Sequence, residues 1–244
     1  MLSARQDVLI YILIPAAAIV AGSGLAAFYE PGAKLESAIQ HFAAGMIFAA
    51  IAGELLPQVH DRQPLTVGIG FAFGTLAMLI IKWLIEDVWQ VKGGAAHESA
   101  DAVGLITATG VNFVVDGFLL GLGFTVGVEE GVLLMVAVAA ENFFVGLSGA
   151  AALQDTEISR GKSIAAALGL AALFLVPAAA GVTIFSGVSG PVFAAVIAFG
   201  AAALLYIVIE ELFVEAHQKL PENPVIASTF FIGFLALLLV EMVA

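Results

Sequence analysis

Residues 103–127 read VGLITATGVNFVVDGFLLGLGFTVG, and residues 130–153 read EGVLLMVAVAAENFFVGLSGAAAL. Each stretch reaches the length of about 20 apolar residues that a helix needs to cross a bilayer. One carboxylate stands near the middle of each stretch, Asp116 in the first and Glu141 in the second. An ionised side chain at this depth costs at least about 2.5–3.5 kcal/mol, and such residues usually serve a function. The two stretches therefore predict consecutive membrane helices that carry a polar site.

The composition extends this prediction to the whole chain. Of 244 residues, 61% are apolar and only 11% are charged, and the mean hydropathy is +1.08, outside the range of soluble proteins. We expect one all-α membrane domain over residues 1–244, with short connections apart from a polar one at 87–102. A cleaved signal peptide is disfavoured, because the first stretch is longer than a signal core. The eight predicted spans are 7–29, 36–58, 64–86, 103–127, 130–153, 162–186, 190–216 and 224–243.

The charged residues indicate an orientation and a class of partner. Lys and Arg are enriched in cytoplasmic loops, and an outside N-terminus places five of them inside and two outside. The sequence therefore predicts N-out and C-out topology. The formal net charge of -12 attracts cations and disfavours nucleic acid, and the absence of cysteine leaves only oxygen, imidazole or thioether ligands for a metal. The inner residues are Lys34, Lys92, Arg160, Lys162 and Lys219, and the outer ones are Arg5 and Arg62.

Three pairs of segments match one another in the same order. LIPAAA (13–18) is similar to LVPAAA (175–180), at an offset of 162. FAAGMIFAAIAGELLP (42–57) is similar to FGAAALLYIVIEELFV (199–214), and FAFGTLAML (71–79) to FFIGFLALL (230–238), at offsets of 157 and 159. Spans 1–3 therefore repeat as spans 6–8 with opposite topology, in a 3+2+3 arrangement. Inverted repeats of this kind are typical of secondary transporters with a site near the midplane.

Five residues near the middle of their spans form a candidate cation site. Asn112 and Asp116 share one face of the fourth span, Glu141 and Asn142 lie on the fifth, and Met46 lies on the second. Two carboxylates and two amide oxygens suit a divalent cation. Alternatively, the polar residues hold helices together by hydrogen bonds, and Met46 only packs.

A second group of charged residues marks the candidate pathway. Lys82, on the third span, and Glu210 and Glu211, on the seventh, fall at a similar depth near the predicted inner face. We expect an ion pair there, at the inner mouth of a pathway; the alternative is that Lys82 extends to the lipid interface. Glu54 is the repeat equivalent of Glu211 and marks the predicted outer mouth.

The chain resembles the ZIP family of divalent-metal transporters. The resemblance is carried by HFAAGMIFAAIAGELLPQ (41–58), NFVVDGFLLG (112–121), ENFFVGLSGAAAL (141–153) and YIVIEELFVEAH (206–217). It implies eight spans, N-out and C-out topology, and a metal centre on the fourth and fifth spans.

The ligand set departs from the family pattern at several positions. The resemblance places Asn112 where the family has His, Asp116 where it has Glu, and Glu141 and Asn142 at the first ligands of the fifth span. These departures reduce the expected centre to one metal ion, and zinc, manganese or iron would suit it. The further departures are Val145 and Val176 in place of Glu, Lys82 in place of Asp, and Val115 and Phe144 in place of Pro.

The sequence therefore predicts a gradient-driven transporter that moves a divalent metal cation, zinc or another such as manganese or iron, toward the cytoplasm. No phosphate-binding loop of the G-x-x-x-x-G-K-[ST] type is present, and no His, Ser or Asp pattern indicates an enzyme. The alternative is a ZIP fold with different cargo, or with a regulatory or structural role and no transport. We expect no organic cofactor and a prokaryotic inner membrane, and the sequence leaves a homodimer open.

Overall fold

Over the residues that the structure describes, the protein has the all-α architecture of a membrane protein with eight helices, as the sequence predicts. The computed structural model describes residues 8–26, 28–29, 32–90, 98–154, 160–218 and 223–242. Within these ranges all regular secondary structure is helical, and eight helical segments are long and apolar enough to cross a membrane.

The helices are labelled α1 to α8 in chain order. Two of them, α2 and α7, are each interrupted by a π-helical segment. The uninterrupted helices are α1 (Leu13–Ala26), α3 (Pro64–Gln90), α4 (Glu98–Val126), α5 (Val128–Gln154), α6 (Arg160–Phe185) and α8 (Thr229–Glu241, preceded by Pro224–Ala227). The interrupted helices are α2 (Ala33–Ala50, π segment Ile51–Leu55, Leu56–His60) and α7 (Gly190–Tyr206, π segment Ile207–Leu212, Phe213–Gln218).

The third and fourth helices extend further than their apolar stretches. α3 continues to Gln90 rather than ending at 86, and α4 begins at Glu98 rather than at 103. Hydropathy marks the part of a helix that lies in hydrocarbon, whereas backbone hydrogen bonding can continue into the aqueous phase. The predicted connection at 87–102 is therefore shorter, and residues 91–97 lie outside the described part of the chain.

Four helices form the centre of the molecule and four surround it. More than half of the apolar window of α2, α4, α5 and α7 is buried, compared with 11% for α8 and 17% for α3. The outer helices present large apolar side chains such as Phe73, Trp83 and Phe231 to the surroundings. This apolar surface is what contact with a lipid bilayer requires.

The helices pack in symmetry-related pairs. α1 packs on α5 and α4 on α6, while α2 packs on α8 and α3 on α7. α4 also contacts α5, and α1 contacts α6, so α1, α4, α5 and α6 form one group of four helices. The other group contains α2, α3, α7 and α8, and the two groups meet where α2 contacts α5 and α4 contacts α7.

Close helix crossings confirm the inverted repeat at the level of single residues. Gly74 of α3 packs against the carbonyl oxygen of Phe199 in α7, where a Cβ would clash. Gly233 of α8 packs in the same way against the carbonyl oxygen of Phe42 in α2. The sequence match pairs Gly74 with Gly233 and Phe42 with Phe199, so the two contacts are repeats of one another.

The symmetry also includes α4 and α5, which the sequence comparison left outside the repeat. Gly22 of α1 packs against the carbonyl oxygen of Phe143 in α5, and Gly181 of α6 packs against that of Phe118 in α4. Gly22 and Gly181 are 159 residues apart, like Gly74 and Gly233. The LIPAAA match aligns α1 with α6 at an offset of 162, whereas these contacts align them at an offset of 159. The sequence match is therefore displaced by three residues from the structural repeat.

The two π-helical segments are another feature that the repeat places at equivalent positions. Ile51–Leu55 contains Glu54, and Ile207–Leu212 contains Glu211, which the repeat pairs with Glu54. A π-helical turn inserts an extra residue into the helix and is frequent at functional sites. Hydropathy carries no sign of this local change.

We expect the close crossing at Gly74 to be essential for packing. Gly74→Ala places a methyl group against the backbone of α7, and overpacking of this kind typically costs about 1–3 kcal/mol. Gly68→Ala is the matched control, because Gly68 lies in the same helix with open space around it. In detergent, thermal unfolding followed by circular dichroism should show a lower midpoint for Gly74→Ala alone. Equal midpoints for the two variants would contradict the crossing.

Candidate functional site

Three of the five candidate ligands are almost completely buried. Asp116 and Glu141 are each 1% exposed, and Asn142 is 0% exposed. Asn112 is half-buried, but its Oδ1 atom is inaccessible. Met46 is also buried and belongs to the main apolar core with residues of α4, α5 and α7. These residues, which the sequence places near the middle of their spans, therefore point into the bundle rather than toward lipid.

The register between α4 and α5 places the two carboxylates opposite one another. These antiparallel helices are joined at Gly127, and Gly123 of α4 packs against the side chain of Leu134 in α5. Asp116 lies seven residues before Gly123, and Glu141 lies seven residues after Leu134. Seven residues are about two helical turns, so Asp116 lies on the same side of α4 as Gly123. Glu141 likewise lies on the same side of α5 as Leu134. The two carboxylates are therefore at one level, on the sides of the helices that face each other.

A second contact on the far side of the pair supports this register. A Cβ on Gly149 of α5 would lie 3.8 Å from Oγ1 of Thr109 in α4. Thr109 lies seven residues before Asp116, and Gly149 lies eight residues after Glu141. Contacts two turns away on both sides therefore fix the level at which Asp116 and Glu141 face each other.

The two carboxylates are also equivalent under the inverted repeat. Asp116–Leu122 reads DGFLLGL and Glu141–Leu147 reads ENFFVGL, with a carboxylate first and a glycine sixth in each. Gly121 packs against the backbone of α6, and Gly146 packs against the backbone of α1. The pseudo-twofold axis that exchanges α4 and α5 thus passes between Asp116 and Glu141. This internal match was present in the sequence but is too short to stand out without the structure.

The amide side chains of the buried Asn142 and the half-buried Asn112 accompany the carboxylates. Asn142 follows Glu141 directly, and neither its Oδ1 nor its Nδ2 has a hydrogen-bond partner within the described part of the protein. The same holds for Oδ1 of Asn112, one turn from Asp116. A buried amide without a partner is costly, so these groups are suited to a ligand.

The arrangement favours a cation by its charge. Two carboxylates that face each other in a water-poor interior repel, and a shared proton or a bound cation relieves that repulsion. The described residues contain no group of three or more His, Cys, Asp or Glu side chains placed to hold a metal. A cation at this level would therefore depend on amide oxygens and water in addition to Asp116 and Glu141, which is typical of hard divalent ions.

A small, mainly apolar cavity begins one turn from the carboxylates. Its volume is about 20 Å³, enough for a water molecule, and it lies among α1, α4, α5 and α6. Val145, one turn after Glu141, lines its wall together with three hydroxyl groups. It lies between the level of the carboxylates and the end of the bundle where α4 begins. The three hydroxyl-bearing residues are Ser23, Thr109 and Ser163.

The predicted ion pair at the end of α3 is confirmed for one of its two carboxylates. Nζ of Lys82 donates to Oε2 of Glu210 at 2.7 Å, and both side chains are about 40% exposed (39% and 43%). The ammonium also lies 5.9 Å from the ring centre of Tyr206. The side chain of Glu211 lies outside the described part of the structure. Lys82 is therefore held by α7 rather than directed only toward lipid.

The opposite end of the molecule carries the reverse charge at the equivalent position. The repeat pairs Lys82 with Glu241, 159 residues later, and the Glu241 carboxylate lies against the backbone of Gly53, next to Glu54. Glu54 is also close enough to Glu129 and Glu130 to interact with their charges. Sequence analysis missed Glu241, although extending the FAFGTLAML match by three residues aligns it with Lys82. One end is thus ion-paired and the other end is acidic.

Comparison with known proteins adds no identification. No protein-family profile matches the chain, and no curated protein matches it.

Proposed function

We propose that the protein is a ZIP-like membrane transporter that moves a divalent metal cation through a site between Asp116 and Glu141. The observation that carries the proposal is the burial of both carboxylates, together with a register of α4 against α5 that brings them to one level near the pseudo-twofold axis. A site on the axis between inverted repeats is the arrangement that alternating access uses. Movement of the α1/α4/α5/α6 group against the other four helices would expose it to each side in turn.

The ligand chemistry narrows the cargo. Asp116, Glu141 and the amides of Asn112 and Asn142 offer oxygen, and Met46 offers a thioether. Without imidazole at this level, the set suits manganese or iron at least as well as zinc. The acidic end around Glu54 favours cation entry there, which corresponds to inward movement on the predicted N-out topology. Both candidate functions place the protein in a membrane. That this membrane is a prokaryotic inner membrane, and that the protein forms a homodimer, stay predictions.

The second candidate is a protein of the same architecture that binds a cation without transporting it. Lys82 favours it, because a fixed ammonium at one end of the path repels a passing cation. The valines at 145 and 176 favour it as well, since the resemblance places ligands there.

Flux measurements in proteoliposomes separate these functions. With an inward gradient of Mn²⁺, Zn²⁺ or Mg²⁺ and a metal-sensitive dye inside, we expect uptake of at least one ion above that of protein-free liposomes. The Asp116→Asn/Glu141→Gln variant should take up none. Cation binding without flux in the wild-type protein would favour the second candidate, and the absence of both would reject the proposal.

A further inference from the structure

Two histidines at one end of the central helices have their ring tautomers set by the backbone. Nδ1 of His41, near the start of α2, lies 2.8 Å from the carbonyl oxygen of Ser37. Nδ1 of His217, near the end of α7, lies 2.6 Å from the carbonyl oxygen of Phe213. A carbonyl oxygen only accepts, so Nδ1 carries the hydrogen in both rings. In the neutral imidazole, Nε2 then holds the lone pair that can bind a metal.

This pattern is the one that metal-binding histidines show. Such residues usually donate the other ring N–H to a carbonyl or carboxylate, which fixes the ring and raises its basicity. His41 is buried and further oriented by the ring of Phe213, with 5.6 Å between ring centres. His217 is exposed, so the pair is accessible from the aqueous side.

The spacing of the two rings fits a shared ion. Their centres are 5.0 Å apart and their planes are inclined by 72°. For metal–nitrogen bonds of about 2.0–2.1 Å and tetrahedral angles, two imidazoles on one ion have centres roughly 5 Å apart. Edge-to-face packing without a metal gives a similar separation, and the titration below separates the two arrangements.

We propose that His41 and His217 form a two-imidazole site for a divalent cation such as Zn²⁺, Ni²⁺ or Cu²⁺, with water completing the coordination. Imidazole prefers these ions to Mg²⁺ or Ca²⁺. The site is separate from Asp116 and Glu141 and does not depend on transport. A bound ion would connect α2 to α7, the two helices with π-helical segments.

The repeat provides a natural control for this site. At the offset of 157 residues, His217 is equivalent to His60, which is also exposed, whereas His41 is equivalent to the buried Ala198. The imidazole pair is therefore present at one end of the molecule and replaced by a single imidazole at the other.

The test uses the full-length protein without a histidine tag, stripped with a chelator and titrated with Zn²⁺. His217→Ala should remove one bound Zn²⁺ per chain or weaken its binding at least tenfold, while His60→Ala should not. His217 is exposed, so its replacement should leave the fold intact, and His41→Gln should reproduce the loss. With Cu²⁺, the electron paramagnetic resonance spectrum should show two coupled nitrogens in the wild-type protein.

The outcomes separate this site from the midplane site. The Asp116→Asn/Glu141→Gln variant should retain the His217-dependent ion even if the proposed function fails. An unchanged number of bound Zn²⁺ in His217→Ala would show that the two rings only pack edge to face. Retention of the ion by His217→Ala and its loss in the carboxylate variant would likewise overturn the proposal.

Discussion

The Asp116→Asn/Glu141→Gln variant should lose cation binding at the centre of the bundle and keep its fold. The amide side chains have nearly the same size as the acids, so the packing between α4 and α5 is preserved while both charges are removed. A cation at 100 times its dissociation constant stabilises the wild-type protein by about 2.7 kcal/mol. Thermal unfolding with and without Mn²⁺ should therefore show a higher midpoint for the wild-type protein and no change for the double variant.

Glu210→Gln is the matched control for this experiment. It removes a carboxylate that is paired with Lys82 at the edge of the bundle, and exposed ion pairs of this kind contribute about 0.2–1 kcal/mol. Its response to Mn²⁺ should equal that of the wild-type protein. Without cation, the double variant should be at least as stable as the wild-type protein, because two facing like charges are gone. A Mn²⁺ response that survives in the double variant would place the site elsewhere.

Val145→Glu should strengthen cation binding at the same site. Val145 is one turn after Glu141 on the face toward α4, is half-buried, and lines the small cavity. A carboxylate there adds a third negative oxygen ligand at the position where the family resemblance places one. We expect Mn²⁺ or Zn²⁺ to bind at least tenfold more tightly, which corresponds to about 1.4 kcal/mol.

The control for this gain is Val145→Gln, which has the same shape without the charge. Calorimetric titration should give tighter binding for the glutamate variant than for the glutamine variant. The glutamate variant should also unfold at a lower temperature without cation, because a third buried carboxylate adds repulsion. Equal affinities for the two variants would mean that residue 145 points away from the ion.

Much of the architecture was predictable because membrane insertion depends on local composition. Each apolar stretch satisfies the length requirement by itself, so eight helices could be recognised without any contact between them. The mid-span positions of Asp116 and Glu141 were likewise evident from residue counting. The repeat of α2 as α7 and of α3 as α8 was readable because the matching words, such as FAFGTLAML and FFIGFLALL, are contiguous in the chain.

Other features depended on how the helices rotate and pair. That Asp116 faces Glu141 follows from the contact of Gly123 with Leu134, and hydropathy cannot report which side of one helix meets another. The π-helical segment at Glu54 arises from backbone hydrogen bonding, which hydropathy does not report.

The charge reversal between Lys82 and Glu241 and the pairing of His41 with His217 were decided by tertiary structure. His41 and His217 are far apart in the chain and meet only because α2 and α7 pack at the centre of the molecule. The sequence by itself determined the number of helices, their depth and the presence of buried charge, because these depend on residues close together in the chain. Which side chains meet was decided by helix packing, because that depends on contacts between distant segments.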